Sequence, residues 1–165
     1  GGPFKGGKYS AFEAGTRIPA IVYWPGTVKP GISNALVNQV DLFASLAAFT
    51  HQQLRPGEAP DSFNYMQTWL GNSGKGRQIM LEEAFTYALR DGDWKYIEPV
   101  SKPTPVWMKQ KNIPSGLMKV PQLYNLKTDV AERHNVAAVN PAQLKKMKAV
   151  MAEIKRHGSR PGAAK

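Results

Sequence analysis

Apolar positions along this chain fall into blocks of different period. The run Ile18-Pro-Ala-Ile-Val-Tyr-Trp24 is almost continuously apolar and stops at Pro25-Gly26, which predicts a buried strand. Residues 28–33 are turn-rich, and Ser33 or Asn34 is suited to cap a following helix. In the next block Val37, Val40, Phe43, Leu46, Ala47 and Phe49 recur at helical spacing and predict a helix over 37–49. Residues 51–62 form a polar linker containing Pro and Gly. A short helix is expected from Asp61 or Ser62 to about Leu70, with Phe63, Met66, Trp69 and Leu70 on one face; Gly71-Asn-Ser-Gly-Lys-Gly76 reads as an exposed turn that ends it.

Beyond Arg77 the texture changes. Residues 79–90 are ambiguous by period, but Asp91-Gly92-Asp93 separates them from Trp94-Lys-Tyr-Ile97. Asp-Gly favours a hairpin turn, with positive φ at both central positions, so strand, turn and strand are expected across 85–98. Period two places Trp94 and Tyr96 on one face and Lys95 on the other. Pro99–Pro121 carries five prolines and reads as a long irregular insertion of the kind that often faces substrate. Trp107 there could stack on a sugar ring, although anchoring the loop to the core is the preferred reading. Asn140-Pro141 starts a last helix with an apolar stripe at Leu144, Met147, Met151 and Ile154, stopped by Gly158-Ser-Arg-Pro-Gly162.

Candidate chemistry concentrates at Lys8. Glycines on both sides of the lysine's turn let the backbone bend tightly, and a lysine held there is a point charge for a phosphate or sulfate oxygen. Gly2 to Lys8 formally fits the start of a phosphate-binding P-loop, but Tyr9 stands where that motif needs Ser or Thr. On residue chemistry alone, a solvated loop lysine is the favoured reading of Lys8.

The ordered set Gly7, Lys8, Glu13, Gly15, Arg17, Pro19, Trp24, Pro25 and Gly26 resembles the formylglycine-dependent sulfatases, the arylsulfatase family, with Ala14 replacing one family glycine. Two further stretches are similar to that family: Leu89, Arg90, Gly92, Trp94 and Lys95, then Leu123, Tyr124, Leu126, Asp129, Glu132 and Asn135. Val130 and Ala44 stand where the family has proline. The resemblance covers about residues 1–155. It implies that Lys8 contacts the sulfate of the substrate, in a catalytic and substrate-binding role, and that Glu13 and Arg17 are structural. Asp41 opens a segment similar to one in the family; a helix-flank carboxylate bonding nearby backbone is the preferred reading over catalysis. His51 reads as a loop residue. Asp129, Glu132 and His134 fit turn and capping roles better than a metal site.

Composition narrows the picture. There is no cysteine, so a disulfide framework is excluded, and no serine begins the Ser-x-Pro-x-Arg motif that the resemblance would require of a nucleophile; Ser159-Arg-Pro161 lacks its arginine. No run of eighteen or more apolar residues is present, so no membrane-spanning helix is expected. The net charge of +10 raises the prior for a polyanion partner. Lys145, Lys146, Lys148, Lys155, Arg156, Arg160 and Lys165 against Glu153 account for most of it, and such a run reads as a solvated face; no nucleic-acid partner is expected. With neither an initiator methionine nor a leader at Gly1, the chain is expected to be a piece of something longer.

The expectation is therefore an α/β fold, α+β in its C-terminal part. Residues 1–70 would end an alkaline-phosphatase-like sulfatase domain, and 71–165 would form a small antiparallel-sheet subdomain with a packed C-terminal helix. What the resemblance implies is hydrolysis of a sulfate ester, of a sulfated glycan or an aryl sulfate, in the periplasm or secreted. Its calcium ligands and formylglycine would lie upstream of this chain, which would work only with that upstream part, and no metal ligand is assigned here. A phosphodiester or phosphonate hydrolase of the same superfamily, and a non-enzymatic basic polyanion-binding module, remain open.

Overall fold

The computed structural model describes residues 2–157. The helix stop at Gly158–Gly162 and the basic residues Arg160 and Lys165 lie outside the described residues. The chain divides into two units: Gly1–Pro19 with Ile79–Ala152, and Ala20–Gln78 with Glu153–Lys165.

The first unit is built on a four-stranded antiparallel meander, β1 (Ile79–Glu83), β2 (Tyr87–Asp91), β3 (Trp94–Ile97) and β4 (Gln122–Asn125), in that spatial order. Residues 79–90, ambiguous in sequence, are thus strand, turn and strand. Pairing of Asp91 with Trp94 makes Gly92 and Asp93 the central residues of the β2–β3 hairpin, one position later than expected. Gly92 has φ 57° and Asp93 is not in the positive region, so glycine supplies the one left-handed residue at the first central position.

Register fixes the faces, because directly paired residues share a side. Ala88, Arg90, Lys95, Ile97, Gln122 and Tyr124 line one face with Glu82. Ala11 and Phe12 of the N-terminal segment complete the core there with Ala88, Ile97, Tyr124 and Leu126, and the rings of Phe12 and Tyr124 meet edge-on at 6.0 Å. Leu89, Tyr96 and Leu123 lie on the opposite face, all buried. Across from Asp91 on that face, Lys146 of helix α5 (Pro141–His157) makes an ion pair at 2.8 Å. Met147, Met151 and Ile154 of the expected stripe are buried, each such side chain contributing about 1.5–3 kcal/mol. Pro141 is the first helical residue, while the Asn140 side chain donates to the Val136 carbonyl instead of accepting from helix amides.

In the second unit, α2 (Asp41–Phe49) begins four residues later than expected, and Ser33 and Asn34 do not cap it. Its buried residues are Asp41, Ala44 and Ser45, whereas Phe43, Leu46 and Phe49 of the predicted apolar face are exposed. The helix expected over 61–70 shrinks to α3 (Met66–Trp69). Residues 18–24 are not a strand: Ile21 and Tyr23 are 88% and 86% exposed. A strand exists through its ladder, and among the described residues no strand runs beside these. The insertion 99–121 contains one short helix, α4 (Val106–Gln110), and α1 (Glu13–Thr16) is a single turn.

Candidate functional site

Lys8 and Tyr9 are the central residues of a tight turn closed by the Ser10 amide donating to the Gly7 carbonyl at 2.9 Å. Tyr9 carries φ 72°, the left-handed value that the third position of a type II turn demands, although it is not glycine. Both side chains of the tip are exposed, and Lys8 Nζ lies 5.0 Å from the Tyr9 ring centroid.

The base of this turn is held from three directions. Ser10 is fully buried and its hydroxyl donates to the Pro114 carbonyl; the Ala11 amide donates to the Ser115 carbonyl. Gly15 packs so closely that a Cβ there would fall 1.9 Å from the Ser10 carbonyl oxygen. Gly116, at φ 81°, abuts Ala11. The expected irregular insertion is thus laced to residues 7–11. Trp107 meets the Tyr9 ring edge-on at 5.4 Å while staying 37% exposed.

Beneath the turn lies a charged cluster within the apolar face of the sheet. Lys95, fully buried, has its Nζ 2.8 Å from Glu13 Oε1, 3.0 Å from Glu82 Oε2 and 3.9 Å from Glu132 Oε1. Arg90 and Arg17 add longer contacts to Glu13, Thr16 donates to Glu82, and the Glu13 amide donates to Glu132 Oε2. Burial alone would lower the Lys95 pKa, but Glu82, Glu13 and Glu132 outweigh it and hold it above the ordinary lysine value. Burial pushes Glu132 up to about 7 against the pull of Lys95 and the Glu13 amide, with Glu13 and Glu82 adding to the rise. Among the described residues Glu132 Oε1 has no hydrogen-bond partner, so the anionic form is weakly supported there.

Asp41 and Arg77 form a separate buried pair in the second unit. Arg77 Nε donates to Asp41 Oδ2 at 2.5 Å, and the guanidinium's second prong reaches Oδ1 and the Asp61 carbonyl. Asp41 also accepts the amides of Asn38 and Phe63. This is the backbone-binding carboxylate expected from sequence, with a cation that sequence did not reveal.

Asp129 accepts the amides of Arg133 and His134, and those bonds hold its pKa below the usual range although burial alone would raise it. Glu132, read as a turn residue, belongs instead to the Lys95 cluster. His51 sits exposed in a loop at φ 58°. Among the described residues no group of three or more His, Cys, Asp or Glu is arranged to hold a metal ion; Glu13, Glu82 and Glu132 turn to Lys95. Sequence reading missed Phe85, whose ring lies 6.2 Å from that of Tyr9, because it comes from the β1–β2 turn.

The sulfatase family profile matches residues 1–51. N-acetylgalactosamine-6-O-sulfatase of Bacteroides thetaiotaomicron is 42% identical over 157 residues, covering 93% of this chain and 30% of that relative. Human arylsulfatase A is 28% identical over 158 residues, covering 86% of this chain and 31% of its own length. A solved Bacteroides thetaiotaomicron chain, described as BT33336S-sulf in work on the metabolism of multiple glycosaminoglycans, superposes with TM-score 0.88 at 42% identity, covering 94% of this chain and 32% of that one. The chain therefore spans under a third of the relatives it matches. Their shared sequence and fold make it a member of the sulfatase family, corresponding to a C-terminal portion.

Proposed function

We propose that this chain supplies one wall of a site hydrolysing sulfate esters of a sulfated carbohydrate, with Lys8 contacting the sulfate. The observation that carries this reading is the placement of Lys8. Its ammonium stands exposed at the tip of a turn whose base is fully buried at Ser10 and tied to the insertion. A fixed cation of this kind stabilises the negative charge that grows on the transferring group and leaving oxygen, without reorganising during the reaction. The name of the Bacteroides relative, an N-acetylgalactosamine-6-O-sulfatase, supports a sulfated amino sugar as the substrate class.

The remaining walls belong to the upstream part of the same protein. In this reading, residues 1–70 close the larger α/β, alkaline-phosphatase-like domain, and 71–165 form the smaller subdomain. Exposed Ile21, Tyr23, Ile32, Phe43 and Leu46 favour it, since so much open apolar surface marks a face that meets other protein. The family's calcium and formylglycine find no ligand set or nucleophile among the described residues, so the chemistry assigned to this chain is that of its own side chains. No described helix is long and apolar enough to cross a membrane; a periplasmic or secreted location follows from the family reading.

The test compares sulfate and phosphate esters as substrates of the complete protein. Preferential sulfate turnover, lowered more than about tenfold by Lys8→Ala with the circular dichroism unchanged, is the expected result. Preferred turnover of phosphodiesters would transfer the reading to phosphoryl chemistry, and wild-type rates in Lys8→Ala would remove Lys8 from the site. The isolated chain is expected to be inactive toward 4-nitrophenyl sulfate; clear calcium-dependent turnover by it would refute the shared site.

A further inference from the structure

Three aromatic side chains from separate segments converge beside Lys8. Tyr9 comes from the lysine's own turn, Phe85 from the β1–β2 turn and Trp107 from α4; they are 49%, 46% and 37% exposed. Trp107 meets Tyr9 edge-on at an interplanar angle of 79°, and Phe85 is tilted by 39° to Tyr9. The rings therefore do not stack on one another, and the Lys8 ammonium lies over that of Tyr9.

The backbone beneath them is costly to build. Tyr9 has φ 72° and Phe85 φ 60°, values at which bulky residues are rare and which persist only where the surroundings impose them. Glycine would satisfy both turns with less strain. Each segment is nonetheless pinned: Ser10 to Gly7, Ala84 to Thr86, and Ile113 to the carbonyl of fully buried Met108 beside Trp107. Two strained turns and a short helix thus hold three partly exposed aromatic rings as a preorganised surface.

We propose that Tyr9, Phe85 and Trp107 form a stacking subsite for a pyranose ring of the carbohydrate whose sulfate Lys8 contacts. The proposal rests on the reading of Lys8 given above. A pyranose presents a face of C–H bonds that matches the electron-rich face of an aromatic ring, while its hydroxyls stay in water. With Lys8 Nζ 5.0 Å from the Tyr9 centroid, an ester group on that ammonium leaves its sugar alongside the three rings. The cation thus selects an anionic group, and the rings select the flat apolar body attached to it.

Steady-state kinetics of the complete protein on a 6-sulfated N-acetylgalactosamine disaccharide test this. Trp107→Leu and Phe85→Leu are expected to raise KM about fivefold, the scale of one stacking contact, with kcat nearly unchanged. Trp107→Phe, which keeps a ring, should stay close to wild type. Wild-type KM in both leucine variants would overturn the subsite. Saturation-transfer NMR with the same disaccharide and its desulfated form gives a readout independent of turnover. Transfer from aromatic protons to the sugar ring, lost in Trp107→Leu, supports the subsite even if no sulfate is released. No transfer to either sugar overturns it whatever the activity.

Discussion

Lys95 Nζ lies 2.8 Å from Glu13 Oε1, joining residues 82 positions apart in the middle of a buried face. The lysine is the largest fully buried side chain of the unit, and its charge is matched only by carboxylates brought from Glu13, Glu82 and Glu132. Removing Glu13 takes the nearest of these carboxylates from the buried ammonium and leaves it with Glu82 and the more distant Glu132. Glu13→Ala is therefore expected to destabilise the protein by about 3–5 kcal/mol, as urea denaturation would measure. A loss under about 1 kcal/mol would mean the cluster is not a structural keystone.

Glu132 makes stability depend on pH in the direction opposite to an ordinary salt-bridged acid. Its folded pKa is raised to about 7 from an ordinary value of 4.5, so between these limits the folded state binds more protons than the unfolded chain. The contribution of Glu132 is fully present below about pH 4.5, falls as pH rises to about 7, and is constant above. Glu132→Gln removes this titration. Its stability relative to wild type should rise by up to about 3 kcal/mol from about pH 4.5 to 7.5, as Tm measured across that range would reveal. A pH-independent difference would show that Glu132 ionises normally.

Arg77 fits Asp41 as a planar fork, with further contact to the Asp61 carbonyl and the Phe63 ring at 4.7 Å from its guanidinium carbon. Lysine can carry the charge but not the fork. Arg77→Lys is expected to cost about 2–4 kcal/mol in urea denaturation, and Asp41→Asn about 3–5 kcal/mol. Neutral behaviour of Arg77→Lys would reduce the pair to simple charge contact.

Gly15→Ala would force a methyl group into the Ser10 carbonyl, two residues from Lys8. Backbone cannot yield there as a flexible side chain would, so a cost above about 2 kcal/mol is expected. In the complete protein, turnover of a sulfate ester should fall at temperatures where the variant remains folded, because the Lys8 turn is displaced. A variant with unchanged Tm would show that residues 10–15 move apart freely.

The parts of this fold that sequence revealed are those whose causes are local. Gly92 marks a turn by what its backbone can do, and Pro141 with the Met147 and Met151 stripe marks a helix start and a buried side. Ile18–Trp24 has strand composition, yet a strand requires neighbours that this stretch does not specify, and it lies open here. Period two places Lys95 on the face opposite Trp94, as the register shows, but period alone reads a lysine as solvated. Only the convergence of Glu13, Glu82 and Glu132 explains its burial, and those residues are far apart in sequence. Phe85 is hidden for the same reason: it is ordinary in its own segment and gains meaning only beside Tyr9.

The buried lysine also determines how this sheet can be inherited. Residues 4–16 supply Phe12 and Glu13 to it, while the strands begin only at Ile79. Recombination that carried the strands into another gene without that distant segment would deliver a buried lysine without its nearest carboxylate and an uncovered face. The sheet is thus a discontinuous hereditary unit: the segment bearing Lys8 and the hairpin bearing Lys95 must travel together.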